Sequence, residues 1–301
     1  MSNSRVWTEF YDAFDYLKAE DIRQNCEPRV MSHADRRDHS IVLIHGLTDS
    51  PYFMGAIGRY FHETLGWNVY LPLLQGHALK KPRGMQGVDL DEWKRNVDFA
   101  VQVARENGGR VSIGGLSTGG ALSAHKAAQA SSPIDGGVFL FSAALDLGGA
   151  FGDLTEKALR TPLTDVLDFF DDNFSKDLIG DNPYRYARMD KDGARELSEL
   201  IHEIDKLTEG PGRKGALSQP LFAAHSESDT AADIEAIEEL VCKSQPGKGW
   251  LFRMGKSFEV SHASVVLKDD VIGFNGSPLE KANPFFPQMM ESMKRFVDTN
   301  L

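Results

Sequence analysis

Six short β-rich runs alternate with helix-like patterns in this chain, and several of them are apolar almost from end to end. The six are SIVLIHGL (40–47), WNVYLPLL (67–74), RVSIGGLS (110–117), GGVFLFSAAL (136–145), QPLFAAHSES (219–228) and GWLFRMGK (249–256). A strand with one wet face alternates apolar and polar residues, whereas an unbroken apolar run reads as a strand covered on both faces. The spacers at 51–65, 91–107, 118–131 and 231–243 are helical in pattern, as is the stretch 284–299. Strand and helix in alternation build a parallel sheet with right-handed crossovers. The fold class is α/β: a mostly parallel central sheet flanked by helices.

Two stretches depart from this rhythm. Residues 147–216 contain no convincing strand, carry the acidic amphipathic segments TPLTDVLDFFDDNFSKD and DGARELSELIHEIDKL, and end in the breaker-rich TEGPGRKG. They read as a helical insertion over the carboxyl edge of the sheet. Its apolar residues Leu163, Val166, Leu167, Phe169, Phe170 and Phe174 are too many for one helix face, so inter-helix packing is their main expected use, with some left to face a substrate channel. At the other end, Val6, Phe10, Phe14 and Leu17 fall near helical spacing, which predicts an amphipathic helix docked on the core. The organisation is then an N-terminal helical extension (1–39), a first core part (40–146), a helical lid (147–216) and a second core part (217–301).

Charge and cysteine content narrow the function classes. With 33 basic and 44 acidic residues the net charge is −11, which argues against a nucleic-acid footprint and gives no attraction to an anionic membrane. Cys26 and Cys242 stand apart in sequence, unlike a disulfide framework or a metal site, and read as free thiols in a reducing compartment. The first residues lack the basic start and apolar block of a signal peptide. No stretch has the apolar length of a membrane span. The expectation is a soluble cytoplasmic protein with no integral membrane segment; the oligomeric state is left open.

The sharpest chemical signal is SIGGLSTGG, where Ser117 stands between Gly115 and Gly119. The Gly-x-Ser-x-Gly string alone is weak: roughly one chain in five of this size and glycine content has one by chance. Context strengthens it. A strand candidate precedes Ser117 and a small-residue helix candidate (TGGALSAHKAAQA) follows, the strand–turn–helix setting of a nucleophile elbow. A side chain at Gly115 or Gly119 would meet the neighbouring strand or helix. Amides at the helix N-terminus can stabilise a developing oxyanion.

A serine nucleophile needs a base, and the base needs an orienting carboxylate. Of the nine histidines, only His262 (FEVSHASVV) follows the last strand candidate in a short polar loop; its alternative use is as a plain surface histidine. His225, His125 and His77 read as structural, and His33, His39, His62 and His202 carry no signal. For the acid, Asp229 follows the strand PLFAAHSES at its carboxyl end, where catalytic groups gather in open α/β sheets. Asp146, at the end of the preceding strand, is the rival, and Glu227 is expected on the strand itself. The loop after the first core strand, IVLIHGLTDSPYFM, supplies Gly46 and Leu47. Backbone N–H groups of Leu47 and Thr118 are the candidate oxyanion donors.

These residues resemble the α/β-hydrolase superfamily, in its carboxylesterase and monoacylglycerol-lipase-like branch. The resemblance rests on HGLTDSPYFM, LPLLQGHALKKPRG with DLDEWKRNV, GLSTGG, HSESDT and SHASV, in the family's order from about residue 40 onward. The insertion at 147–216 matches the family's lid in position; residues 1–39 lie outside the resemblance. One departure is GHAL, where such enzymes often show Gly-His-Gly, so Ala78 replaces a glycine. The resemblance implies an α/β-hydrolase fold with a helical lid and a serine hydrolase of short to medium acyl esters or monoacylglycerol-like substrates. Ser117, Asp229 and His262 would be catalytic, with no metal or organic cofactor and a small-molecule ester as partner. Amide, lactone or C–C hydrolysis with the same three residues is the alternative, followed by a non-catalytic ligand-binding scaffold.

Overall fold

The computed structural model describes residues 4–81, 85–146, 182–187, 190–208 and 217–301. Strands β1 (Ser4–Val6), β2 (Arg29–Met31), β3 (Arg37–Ile44), β4 (Asn68–Leu71), β5 (Gly108–Leu116), β6 (Val138–Phe141), β7 (Leu221–Ser226) and β8 (Gly249–Met254) form one eight-stranded sheet. Its order is β1-β2-β4-β3-β5-β6-β7-β8. From β4 to β8 every neighbouring pair is parallel, and β1 and β2 add antiparallel strands at one edge. β9 (Val271–Ile272) and β10 (Pro278–Glu280) pair as a separate antiparallel ribbon.

The unbroken apolar runs follow from burial on both faces. Along β3, Val42 and Ile44 join one core cluster while Ile41 and Leu43 join the other. In β6, Val138 and Leu140 oppose Phe139 and Phe141; in β7, Leu221 and Ala223 oppose Phe222 and Ala224. Helices α3 (Leu90–Asn107), α4 (Thr118–Ala128), α5 (Lys191–Thr208) and α6 (Ile234–Lys243) cover the first face. α2 (Pro51–Glu63) and α7 (Phe286–Asn300) cover the second. Local chemistry sets the starts: Asp89 caps α3 by accepting the Asp91 N–H, Asp233 caps α6 by accepting from Glu235, and Pro51 opens α2 where no amide is needed.

The first 39 residues depart from the expected helical extension. Helix α1 covers only Thr8–Ala13, and two short strands of this segment extend the sheet. Phe10, Phe14 and Leu17 are buried as the spacing suggests, but Val6 is exposed and lies in β1. Six residues make too short a helix to persist alone. Burial of its aromatic residues, rather than helical periodicity, sets the spacing.

Most of the insertion, including Leu163 to Phe174, lies outside the described residues. Its segment 192–207 is helical as expected, within α5, and buries Leu197, Leu200, Ile201 and Ile204. Helix α5 packs against α4 and α3, and near its start Gly193 lies beside Leu47.

Candidate active site

Strand β3 is the switch point of the sheet: β4, its successor in the chain, pairs on one side and β5 on the other. The crevice outside the carboxyl ends of such strands is where α/β sheets place ligands. Here β3 runs into the His45–Leu47 loop and β5 into Ser117.

Ser117 sits between β5 and α4 at φ +52°, ψ −118°, a left-handed backbone conformation that costs a non-glycine residue on the order of 1–3 kcal/mol. Its neighbours hold it there. The Ser117 N–H donates to Phe141 O at 3.1 Å, and its carbonyl accepts from Ala121 N at 3.0 Å and Ala144 N at 3.1 Å. The flanking glycines are steric necessities. A Cβ on Gly119 would fall far inside contact with the Ile44 carbonyl, and one on Gly115 would overlap Gly119 and Ile44 backbone atoms.

The loop after β3 comes to the same place: a Cβ built on Gly46 would lie 3.3 Å from Ser117 Cβ. His45 fixes the turn from beneath. Its Nε2 accepts the Leu74 N–H at 3.2 Å, which leaves the proton on Nδ1, 2.9 Å from the Gly46 carbonyl. The ring is fully enclosed; burial, and then the nearby His77, push its pKa well below the ordinary histidine value, so it is neutral. Leu47, which follows Gly46, and Thr118, which follows Ser117, are both buried.

His262 follows β8 and opens a 3₁₀ turn at Ala263–Val266. Its Nδ1 is 2.7 Å from Asp229 Oδ2, and the Asp229 side chain is wholly enclosed. The other carboxylate oxygen, Oδ1, accepts from Ala231 N at 2.9 Å and Ala232 N at 3.1 Å. Burial alone would raise the Asp229 carboxyl; the charge and hydrogen bond of His262, helped by His225 and the Ala231 amide, outweigh it and hold the pKa down at about 2. Asp146, the rival acid, is exposed, and its carbonyl accepts the Asp233 N–H. Glu227 lies one residue past β7 rather than on it and pairs with Arg253 at 2.5 Å.

The remaining histidines have other attachments. His77 is buried with Nδ1 3.0 Å from Gln75 O, His125 pairs with Glu203 at 2.9 Å, and His225 lies 3.3 Å from Ala232 O and 3.5 Å from Asp229 Oδ2. Among the described residues no group of three or more His, Cys, Asp or Glu is placed to hold a metal ion, and no helix is long and apolar enough to cross a membrane.

One group beside Ser117 escapes a reading by motif. Asp49, Arg185 and Glu280 are all buried and share ion pairs next to Gly46. They come from three distant parts of the chain, and only the Asp49 stretch had a recognisable string around it.

A family model described as Alpha/beta hydrolase family matches residues 41–263. Among solved structures, the metagenome-derived lipolytic enzymes LipS and LipT give a match with TM-score 0.66 at 18% identity, covering 93% of this chain and 100% of that one. A soluble variant of monoglyceride lipase from Saccharomyces cerevisiae, in complex with a substrate analog, matches with TM-score 0.60 at 14% identity over 91% and 92% of the two chains. Est1E from Butyrivibrio proteoclasticus with ferulic acid bound gives 0.58 at 16%, over 91% and 96%. At these identities the structural likeness speaks to the fold. No curated protein matches the chain.

Proposed function

Because the chain belongs to the alpha/beta hydrolase family, we propose that it is a serine hydrolase of carboxylic esters, with Ser117 as nucleophile, His262 as base and Asp229 as the orienting acid. The observation that carries the reading is the enclosed Asp229 carboxylate on His262 Nδ1 at 2.7 Å, at the sheet edge where Ser117 is held at φ +52°. A carboxylate on Nδ1 leaves Nε2 as the nitrogen that takes a proton, which is the tautomer a serine nucleophile requires.

Ser117 Oγ attacks the ester carbonyl while His262 takes its proton, and Asp229 stabilises the imidazolium. The N–H groups of Leu47 and Thr118 receive the oxyanion. His262 then protonates the leaving alcohol, and water repeats the cycle on the acyl-enzyme. Short to medium acyl esters or monoacylglycerol-like compounds are the proposed substrates, with residues 147–216 as a lid that shapes the pocket. A reducing, cytoplasmic setting fits the two free cysteines. Loss of any of the three side chains is expected to lower the rate by ~10³-fold or more.

The test is fluorophosphonate labelling of wild type and Ser117→Ala, read by intact mass, beside hydrolysis of p-nitrophenyl esters from acetyl to long acyl. One label on wild type, none on Ser117→Ala and a parallel loss of activity are expected. Parallel amide and lactone panels decide between ester hydrolysis and its chemical neighbours. A folded wild type that neither labels nor hydrolyses any of them overturns the reading.

A further inference from the structure

The buried ions beside Ser117 are arranged as a clamp. The Arg185 guanidinium places Nε 3.0 Å from Asp49 Oδ1 and Nη1 3.2 Å from Glu280 Oε2. Nη2 donates to Thr48 Oγ1 at 2.9 Å, and Nε approaches the same hydroxyl at 3.2 Å. The Asn182 amide donates to Glu280 Oε1 at 2.7 Å, and the Phe53 ring lies under the guanidinium. Each of these polar side chains is at least nine-tenths buried. Backbone bonds add to the grip: Tyr186 N donates to Thr48 O, and Ser50 Oγ to Tyr184 O.

The clamp joins three pieces of chain that have no covalent reason to meet. Asp49 and Thr48 belong to the loop after β3, Arg185 to the insertion, and Glu280 to β10, which follows the His262 loop. The contact that matters for chemistry is the far oxygen of Asp49. A Cβ on Gly46 would overlap Asp49 Oδ2 and sit 3.3 Å from Ser117 Cβ. Asp49 thus shares with Ser117 the narrow space on the open side of Gly46, and its own N–H donates to the Gly46 carbonyl at 3.2 Å, which ties the clamp to the Gly46–Leu47 turn. Burial raises the Glu280 carboxyl; Arg185 opposes that rise, Asp49 adds to it, and His262 is close enough to contribute.

A buried ion pair is weak support for stability, because an apolar replacement of like volume often does as well. What charged forks supply is fixed geometry, and an oxyanion donor is effective only when it is preorganised at hydrogen-bond distance. Resting on the serine-hydrolase reading, we propose that Arg185 is a positioning residue for the oxyanion hole. Its guanidinium, shared between Asp49 and Glu280 and donating to Thr48, holds the turn that carries the Leu47 N–H in place against Ser117.

Removing Arg185 alone leaves two enclosed carboxylates unpaired, so the variant of choice is the neutral triple Asp49→Asn, Arg185→Met, Glu280→Gln, beside Arg185→Lys. Four quantities are read: cooperative thermal unfolding, kcat and KM on p-nitrophenyl butyrate, and the Ki of a trifluoromethyl ketone. That ketone takes Ser117 Oγ on its carbonyl carbon, the hydroxyl proton passes to His262, and the resulting oxyanion occupies the hole. The folded triple is expected to lose about 10- to 100-fold in kcat with KM changed less than about threefold, and the ketone Ki is expected to rise in step with the loss of kcat/KM. Arg185→Lys, which restores the charge but not the fork, should fall between. A folded triple with wild-type kcat and ketone Ki overturns the proposal; should the triple not fold, a folded Arg185→Lys with both values unchanged overturns it equally. A wild type that neither labels nor hydrolyses removes the hydrolase reading and this inference together, whereas an active wild type with indifferent variants removes the inference alone.

Discussion

At the scale of single residues, backbone strain and buried charge concentrate around one edge of the sheet. Ser117 is one of five non-glycine residues at positive φ among those described, and Ala78 at +57° is another. Ala78 lies in the loop after β4, at the position the resemblance would fill with glycine, and its backbone adopts a conformation that glycine suits. An L-residue in the left-handed region costs roughly 1–2 kcal/mol, partly offset by the greater chain entropy glycine loses on folding. Ala78→Gly is therefore expected to raise stability by about 0.5–1 kcal/mol, seen as a higher urea midpoint; a lower midpoint would show that the methyl, which is buried, contributes more by packing than it costs in strain. Asp229 makes a prediction in pH. Its carboxyl titrates near 2 in the folded chain against an ordinary 3.8, so between those values the unfolded chain binds the extra proton. The stabilisation is present in full above pH about 4 and is lost as pH falls toward about 2, with a size on the order of 2 kcal/mol. Urea titrations of wild type and Asp229→Asn from pH 6 to pH 3 should show the wild-type advantage shrinking toward the acid end. A gap that stays constant across that range would mean that the carboxylate is not held by His262 in the folded state.

At the scale of elements, what was legible in the sequence depended on how long each signal runs. Strands β3 to β7 announce themselves because each is covered on both faces, and helices α2, α3 and α4 because their buried stripes last ten residues or more; the edge strand β8, where only Met254 is buried, and α6, which buries only Ile237 and Leu240, give weaker signals. Ser117, Asp229 and His262 stood out as candidates because Ser117 follows directly on β5 and the other two lie in the loops that follow β7 and β8. The N-terminal strands were not. β1 and β2 are three residues each, too short for a period to register, and they exist only because β4 offers an open edge. The Asp49–Arg185–Glu280 clamp was invisible for a related reason: an isolated carboxylate or arginine in a sequence reads as a solvated side chain, and nothing local says that residues 49, 185 and 280 converge. Helix α1 shows the same dependence on tertiary burial. Trp7, Phe10 and Phe14 pack on one another and on Phe99 of α3, with ring centroids 4.9–5.7 Å apart. Replacing the fully buried Phe10 by Ala is expected to cost about 3–5 kcal/mol, measured by urea unfolding. A cost below about 1 kcal/mol would mark the N-terminal segment as an appendage whose loss the sheet tolerates.

At the scale of the whole molecule, the question is whether that segment and the hydrolase core open as one body. The two cysteines provide the means to ask. Cys242 is exposed on α6, whereas Cys26 is buried between the N-terminal segment and the 182–187 stretch, its Sγ 3.8 Å from Pro183 O. Burial also pushes the Cys26 thiol up to about 11, so it is both inaccessible and protonated in the native protein. Ellman's reagent should titrate one thiol quickly and the second only through opening. The bonds around Cys26 suggest how far that opening must go. Arg23 donates to Arg185 O at 2.7 Å and to Leu79 O at 3.0 Å, β2 is paired to β4, and Tyr186 bonds the Thr48 carbonyl beside the candidate site. Freeing Cys26 means breaking attachments to the sheet edge, the loop after β4 and the loop after β3 together. The slow thiol should accordingly react at the rate of global unfolding measured by circular dichroism under the same conditions. If it reacts much faster, residues 4–31 peel away as a separate cooperative unit; the loop after β3 would then lose one of its supports without the core unfolding, and activity should fall at denaturant concentrations where the sheet is still intact.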